Sequence, residues 1–347
     1  MAHIAFLDMS FPFDGDILRC RPLGGVQRVT VLLAEALAAR GHRLDVFNAN
    51  AAVTSCASVT YRPLAGLGRT DGGAGVAADL VVVNREPRLF SLVRSGRKVL
   101  WLHGPAGYLR KARHVIPLLR HRPTPVFLGP CHRATRPWWL PMPGALVLPL
   151  AVGAPFTEAA VADRPPPPRA IFLSNPRRSL DWLVTLWMRA IQPRVPGGEL
   201  HVYCGSAVYG GDDPKLEAAL GRARALAGPS VIFHPPAGPD QLATELRQSR
   251  AMLYRGDPGE TWCVAAAEAS AMGVPIVTAG IGSLAERVID DVTGFIAPDP
   301  AEFTERAVQV LTDDGVWQRL HDQAVARRTT ETWSRRAAEW EAALLAG

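Results

Sequence analysis

Short apolar runs bounded by turn residues recur along the chain at the length of buried strands. In the first half they read HIAFLDM, RLDVFNA, DLVVVN, KVLWLHG, TPVFLGP and ALVLPLA. Between the first two lies VQRVTVLLAEALAARGH, which reads as a helix with Gly41 as its C-cap. In the second half AIFLS, LHVYCG, VIFHP, AMLYRG, PIVTAG and GFIAP alternate with helices expected near 179–191, 214–227, 239–248, 262–272 and 302–312. The tail ETWSRRAAEWEAALL reads as one more amphipathic helix. Apolar runs separated by helices indicate parallel strands buried on both faces. Between the halves stands RPPPPR, Arg164 to Arg169, whose prolines favour a stiff extended spacer. The expected architecture is α/β, with two doubly wound, Rossmann-like domains facing a central cleft. The domains are expected at residues 1–164 and 165–328, with a last helix over 329–347.

Composition narrows the class. With 347 residues, 48% hydrophobic and only 20% charged, the chain can bury two cores and is neither a disordered segment nor a coiled coil. No apolar run approaches the ~18–20 residues that span a bilayer. The start, MAHIAFLDMS, lacks the basic and apolar regions of a signal peptide and reads as a buried strand. Cys20, Cys56, Cys131, Cys204 and Cys263 form no Cys-x-x-Cys pair, which suits a reducing cytoplasm and argues against a zinc site. The formal charge of +6 is unevenly spread. Residues 87–157 contain eleven Lys or Arg, four His and no acid. Such a stretch is either a solvated basic surface or a face that attracts an anionic substrate or membrane. No aromatic-interleaved or helix-turn-helix signature accompanies it, so nucleic acid is not expected.

The segment GDPGETWCVAAAEASAMGVPIV carries two glutamates, Glu260 and Glu268, eight positions apart. A strand is expected to end near Arg255 and a helix to begin near Thr261. On that helix, eight residues separate the two backbones by ~12 Å, beyond the ~5–9.5 Å at which glycosidase carboxylates cooperate. The pair therefore suits separate parts of one extended ligand, since carboxylates accept well from sugar hydroxyls and helix N-termini donate to anions. A helix cap and a helix-surface glutamate would give the same pattern.

Here ETWCVAAAEASAMGVPIV followed by GSLAERVIDDVTGFIAPDP resembles the signature of the retaining family 4 glycosyltransferases of the GT-B fold, known also as glycosyl transferases group 1. That signature is Glu-x7-Glu, then Ala-x-Ala-x-Gly-x-Pro, a Gly-containing turn and a final Gly-Phe strand. The start, GGVQRVTVLLAEALAARGHRLDVF, resembles the family's Gly-Gly loop and first helix. The stretch Trp333 to Leu345 resembles its last helix, which crosses back to the first domain.

The resemblance implies a metal-independent transferase without a cofactor that moves a sugar from a nucleoside-diphosphate sugar to a hydroxyl acceptor, with retention of anomeric configuration. It implies that Glu268 holds the ribose hydroxyls and Glu260 the transferred sugar, with backbone amides of Trp262, Cys263 and Val264 near sugar and phosphates. The family often has Gly where Cys263 stands. SNPRRSLDWL occupies the place of its diphosphate-binding segment. That implies Arg178, followed by Ser179 where Gly is usual, as the Lys counterpart, with Arg177 as a second candidate; arginine clamps phosphate bidentately. Gly24 and Gly25 would let backbone approach the donor, and His103 would lie near the transferred sugar.

Other readings have weaker footing. AGIGSLAE with Asp299 imitates a dinucleotide fingerprint, but DDVTG interrupts the following helix too early for a βαβ unit. Asp14-Gly-Asp16 imitates a metal-binding Asp-x-Asp in the wrong loop. A nucleotide-sugar epimerase on the same fold and a non-catalytic sugar-nucleotide-binding protein are the nearest alternatives. The expected location is the cytoplasm, with residues 87–157 offering peripheral contact to an anionic inner membrane face.

Overall fold

The computed structural model describes all residues except Arg21, Gly66, 68–74, 206–212 and 346–347. The chain forms two compact units. The first is built from residues 1–20, 25–151 and from Thr332 onward, and the second from Val152–Glu331 together with the short segment that ends at Gly24.

In the first unit the sheet runs β3-β4-β2-β1-β5-β6-β7-β8. Its strands are β1 (His3–Leu7), β2 (Arg43–Asn48), β3 (Thr54–Cys56), β4 (Val59–Pro63), β5 (Val76–Asn84), β6 (Val93–Trp101), β7 (Thr124–Phe127) and β8 (Leu146–Val147). Only β3 runs antiparallel, against β4. The central β1 is entirely buried after His3, as expected for a strand covered by helices on both faces. The helix Gly25–Ala39 packs against the terminal helix Trp333–Leu344. There Trp340 meets Trp101 edge-on at 5.0 Å between ring centroids, and both are buried. The last residues of the chain thus complete the core of the unit that the first residues begin.

The second unit has six parallel strands: β9 (Arg169–Phe172), β10 (Glu199–Tyr203), β11 (Val231–His234), β12 (Ala251–Leu253), β13 (Ile276–Thr278) and β14 (Gly294–Ile296). Their order is β11-β10-β9-β12-β13-β14, which is the doubly wound order with its reversal between β9 and β12. The units divide at Ala151/Val152, whereas the sequence suggested Arg164. The proline run belongs inside the second unit because buried Arg250 ties it there, donating from Nη1 to the Pro166 carbonyl (3.3 Å) and from Nη2 to Asp314 (2.6 Å). The helix expected from 262 begins at Val264.

Candidate functional site

At a strand-order reversal, the chain leaves two adjacent strand ends in opposite directions and opens a crevice at their carboxyl ends. In the second unit, the segments leaving β9 and β12 supply the expected site residues. Leaving β9, Ser174 to Ser179 turn into the helix Leu180–Leu186; leaving β12, Tyr254 to Glu260 lead toward the helix Val264–Ala271.

Glu260 is only 7% exposed, and three donors converge on one of its oxygens, Oε1. The buried Tyr254 hydroxyl donates at 2.7 Å, Ser174 Oγ at 3.3 Å, and the Arg178 guanidinium forms an ion pair. Burial first, and then the neighbouring Glu260 charge, push the Tyr254 hydroxyl far above its ordinary range, so it stays protonated and donates. Arg177, by contrast, is exposed, and its guanidinium lies 3.9 Å from Asp213. The structure therefore brings Arg178, not Arg177, to Glu260. Two cations at a helix start call for a nearby anion, and for Arg178 that anion is Glu260.

The turn that holds Glu260 is buttressed by the loop after β13. The Glu260 carbonyl accepts from Ser283 N–H at 3.1 Å. Gly282 has φ +67°, and a Cβ there would lie 2.3 Å from the Asp257 carbonyl oxygen and 3.0 Å from that of Glu260. The AGIGS stretch is therefore a brace for the glutamate turn.

Cys263 caps the helix Val264–Ala271 from the left-handed region, at φ 59° and ψ 78°, and no side chain caps this N-terminus. Its first-turn N–H groups thus lack intrahelical acceptors. Burial raises the Cys263 thiol well above its usual range, and Glu260 adds to that, so the group is an inert wall. Trp262 is buried, with the Arg287 guanidinium over its ring at 4.7 Å. Glu268 lies one turn into the helix and is 2% exposed. It is not the helix-surface glutamate that spacing also allowed.

In the first unit, His103 is half-buried just beyond β6 and stacks obliquely on Trp101 at 4.4 Å. Burial, then the charges of Arg85 and His132, hold its imidazole well below the usual histidine range. Gly24 is buried, while Gly25 begins a helix where a Cβ would meet open space, so packing does not demand glycine there. Sequence reasoning missed Tyr254 and Ser174. Both lie at the polar ends of runs read as strands, AMLYRG and AIFLSN, where a hydroxyl next to the strand-order reversal was the available signal.

The family model described as glycosyl transferases group 1 matches residues 167–313. A D-inositol 3-phosphate glycosyltransferase of Xylanimonas cellulosilytica is 34% identical over 110 residues, 31% of this chain and 26% of that protein. The matched stretches thus span about a quarter of the length of the first such relatives. Another, of Acidothermus cellulolyticus, is 26% identical over 92% of this chain and 84% of its own. Among solved structures, sucrose-phosphate synthase from Thermosynechococcus elongatus superposes with a TM-score of 0.77, at 16% identity, over 99% of this chain and 98% of that one. That likeness shows the fold, GT-B.

Proposed function

We propose that this chain, whose residues 167–313 belong to the glycosyl transferases group 1 family, moves a sugar from a nucleoside-diphosphate sugar to a hydroxyl acceptor with retention. The observation that carries this reading is the buried Glu260 carboxylate, held by Arg178, Tyr254 and Ser174 at the strand-order reversal. A carboxylate fixed through Oε1 keeps Oε2 for pairs of sugar hydroxyls. Arg178 beside it meets the charge that develops on the leaving diphosphate, assisted by the uncapped N-terminus of the helix Val264–Ala271. Trp262, Cys263 and Val264 present backbone amides toward sugar and phosphates, and Glu268 takes the ribose hydroxyls. The resemblance adds His103 and the Gly24–Gly25 backbone as further donor contacts.

The anomeric carbon–phosphate oxygen bond breaks as the acceptor oxygen bonds that carbon on the same face. The acceptor proton passes to the departing phosphate oxygen. With arginine and backbone N–H groups countering the phosphate charge, the step needs neither metal nor cofactor.

Calorimetry with UDP, GDP, ADP and TDP sugars, with and without chelator, tests this. One donor is expected to bind in both conditions, and Glu268→Ala to weaken it about 10- to 100-fold, the loss of charge-assisted hydrogen bonds. Unchanged affinity in that variant contradicts the ribose role. Nucleotide release that needs a hydroxyl acceptor separates transfer from epimerisation and from mere binding.

A second reading concerns location, in the cytoplasm and peripheral to an anionic membrane face. The acid-free stretch exposes Trp138 (91%), Trp139 (44%), Ile116 (64%) and Leu119 (51%) amid its arginines. Aromatic and aliphatic groups among cations suit an interfacial contact. Among the described residues no helix is long and apolar enough to cross a membrane. Sedimentation with anionic liposomes at low salt, reduced in Trp138→Ala, is expected; no sedimentation overturns this reading.

A further inference from the structure

The first unit also reverses its strand order, between β1 and β5, and a buried polar chain crosses the carboxyl ends of β1, β5 and β6. Asp8 (0% exposed) follows β1, Asn84 (2%) ends β5, and His103 follows β6. Asn84 Nδ2 lies 2.9 Å from Asp8 Oδ2 and 2.9 Å from Thr30 Oγ1. The Thr30 hydroxyl has already given its proton to the Val26 carbonyl, at 2.8 Å. Asp8 Oδ1 accepts from Ser10 N–H at 2.7 Å, with Arg85 Nη2 at 3.9 Å. Both neighbours of the Asn84 amide nitrogen are therefore acceptors, which fixes the amide's orientation. Its Oδ1 must then face His103 Nε2, 3.4 Å away. An amide oxygen only accepts, so the proton of the neutral ring belongs on Nε2.

We propose that Asp8 and Asn84 are positioning residues that hold His103 as its Nε2–H tautomer, with Nδ1 as the ring's accepting atom. The effect on turnover rests on the glycosyl-transfer reading; the tautomer does not. Among the described residues, the charged or titratable groups that face the ring include Arg85, His132 and, through Asn84, Asp8. The first two oppose a second proton.

Long-range proton–nitrogen NMR of the full chain labelled with nitrogen-15 histidine reads the tautomer directly, with His103→Gln assigning the signals. The wild type is expected to show a protonated Nε2 and an unprotonated Nδ1 from pH 8 down to 6. A protonated Nδ1 overturns the proposal, and this reading needs no other variant to fold. Asn84→Ala is expected to replace the single form by a mixture of tautomers. An unaltered tautomer in Asn84→Ala also overturns the proposal. In a donor-turnover assay Asn84→Ala should lower kcat more than it raises KM. Absence of any turnover in the wild type would sink the transfer reading and leave the tautomer result standing.

Discussion

Ser179 and Cys263 stand at the starts of the helices Leu180–Leu186 and Val264–Ala271, and both have the left-handed backbone, φ 66° and φ 59°. These are the two positions where the family signature usually has glycine, and the geometry supplies the reason. A Cβ is strained in that region, whereas glycine is not. Each side chain returns a little: Ser179 Oγ donates to the Gly256 carbonyl at 3.3 Å, and Cys263 fills buried space. Comparing glycine with alanine at each site cancels those side-chain gains. Ser179→Gly and Cys263→Gly are each expected to be more stable than the matching alanine variant by about 1 kcal/mol in urea denaturation. Alanine ahead of glycine, the order of an ordinary helix interior, would contradict the strain.

Elements were legible where burial sets their pattern. The uniformly apolar runs became β1, β9, β12, β13 and the buried ends of β5 and β6, because strands covered on both faces admit little else. The β3–β4 hairpin escaped notice, since Thr54–Cys56 is largely exposed and owes its form to pairing with β4, not to its own composition. The short helices Gly15–Cys20 and Pro130–Ala134 have too few turns to show a period. At the site, Glu260 and Glu268 could be picked out because charge is rare in that segment. Which arginine joins Glu260 depends on the turn at Ser179, which no propensity encodes. The terminal helix was legible as an amphipathic stripe, and its packing gives a test. Trp340 sits 2% exposed against Trp101, Arg336 Nε donates to the Leu150 carbonyl (3.0 Å), and Arg40 Nε to Glu341 (2.6 Å). Trp340→Ala is expected to cost about 3–5 kcal/mol, as for other large core truncations. A loss below about 1 kcal/mol would show that the helix is an appendage.

Across the whole molecule, six of the nine histidines (His103, His114, His121, His132, His201 and His234) are held below the usual range, each chiefly by burial. His132 is pushed down to about 4, against a partial opposing pull from the Gly104 carbonyl. Its geometry explains why: Nε2 donates to Gly104 O at 2.9 Å, while Nδ1 accepts from Leu128 N–H at 3.1 Å. A second proton would have to displace that backbone N–H in a site with no exposure. In the unfolded chain the same ring titrates near 6.5. Between those values the unfolded state binds a proton that the folded state refuses, so stability falls as pH drops from about 6.5 toward 4. For His132 alone the loss is on the order of 3 kcal/mol. Glu86, held below the usual range by Arg88, and Glu245, held there by the Tyr203 hydroxyl and Arg169, contribute stability that is lost only at lower pH. The window above about 4.5 therefore belongs to the histidines. His132→Asn, which can still accept from Leu128 N–H but does not titrate, is expected to flatten the decline in urea midpoint between pH 7 and pH 4.5. A variant with the wild-type slope would move the acid sensitivity to the other five rings, among which His103 is the one tied to the Asp8–Asn84 chain.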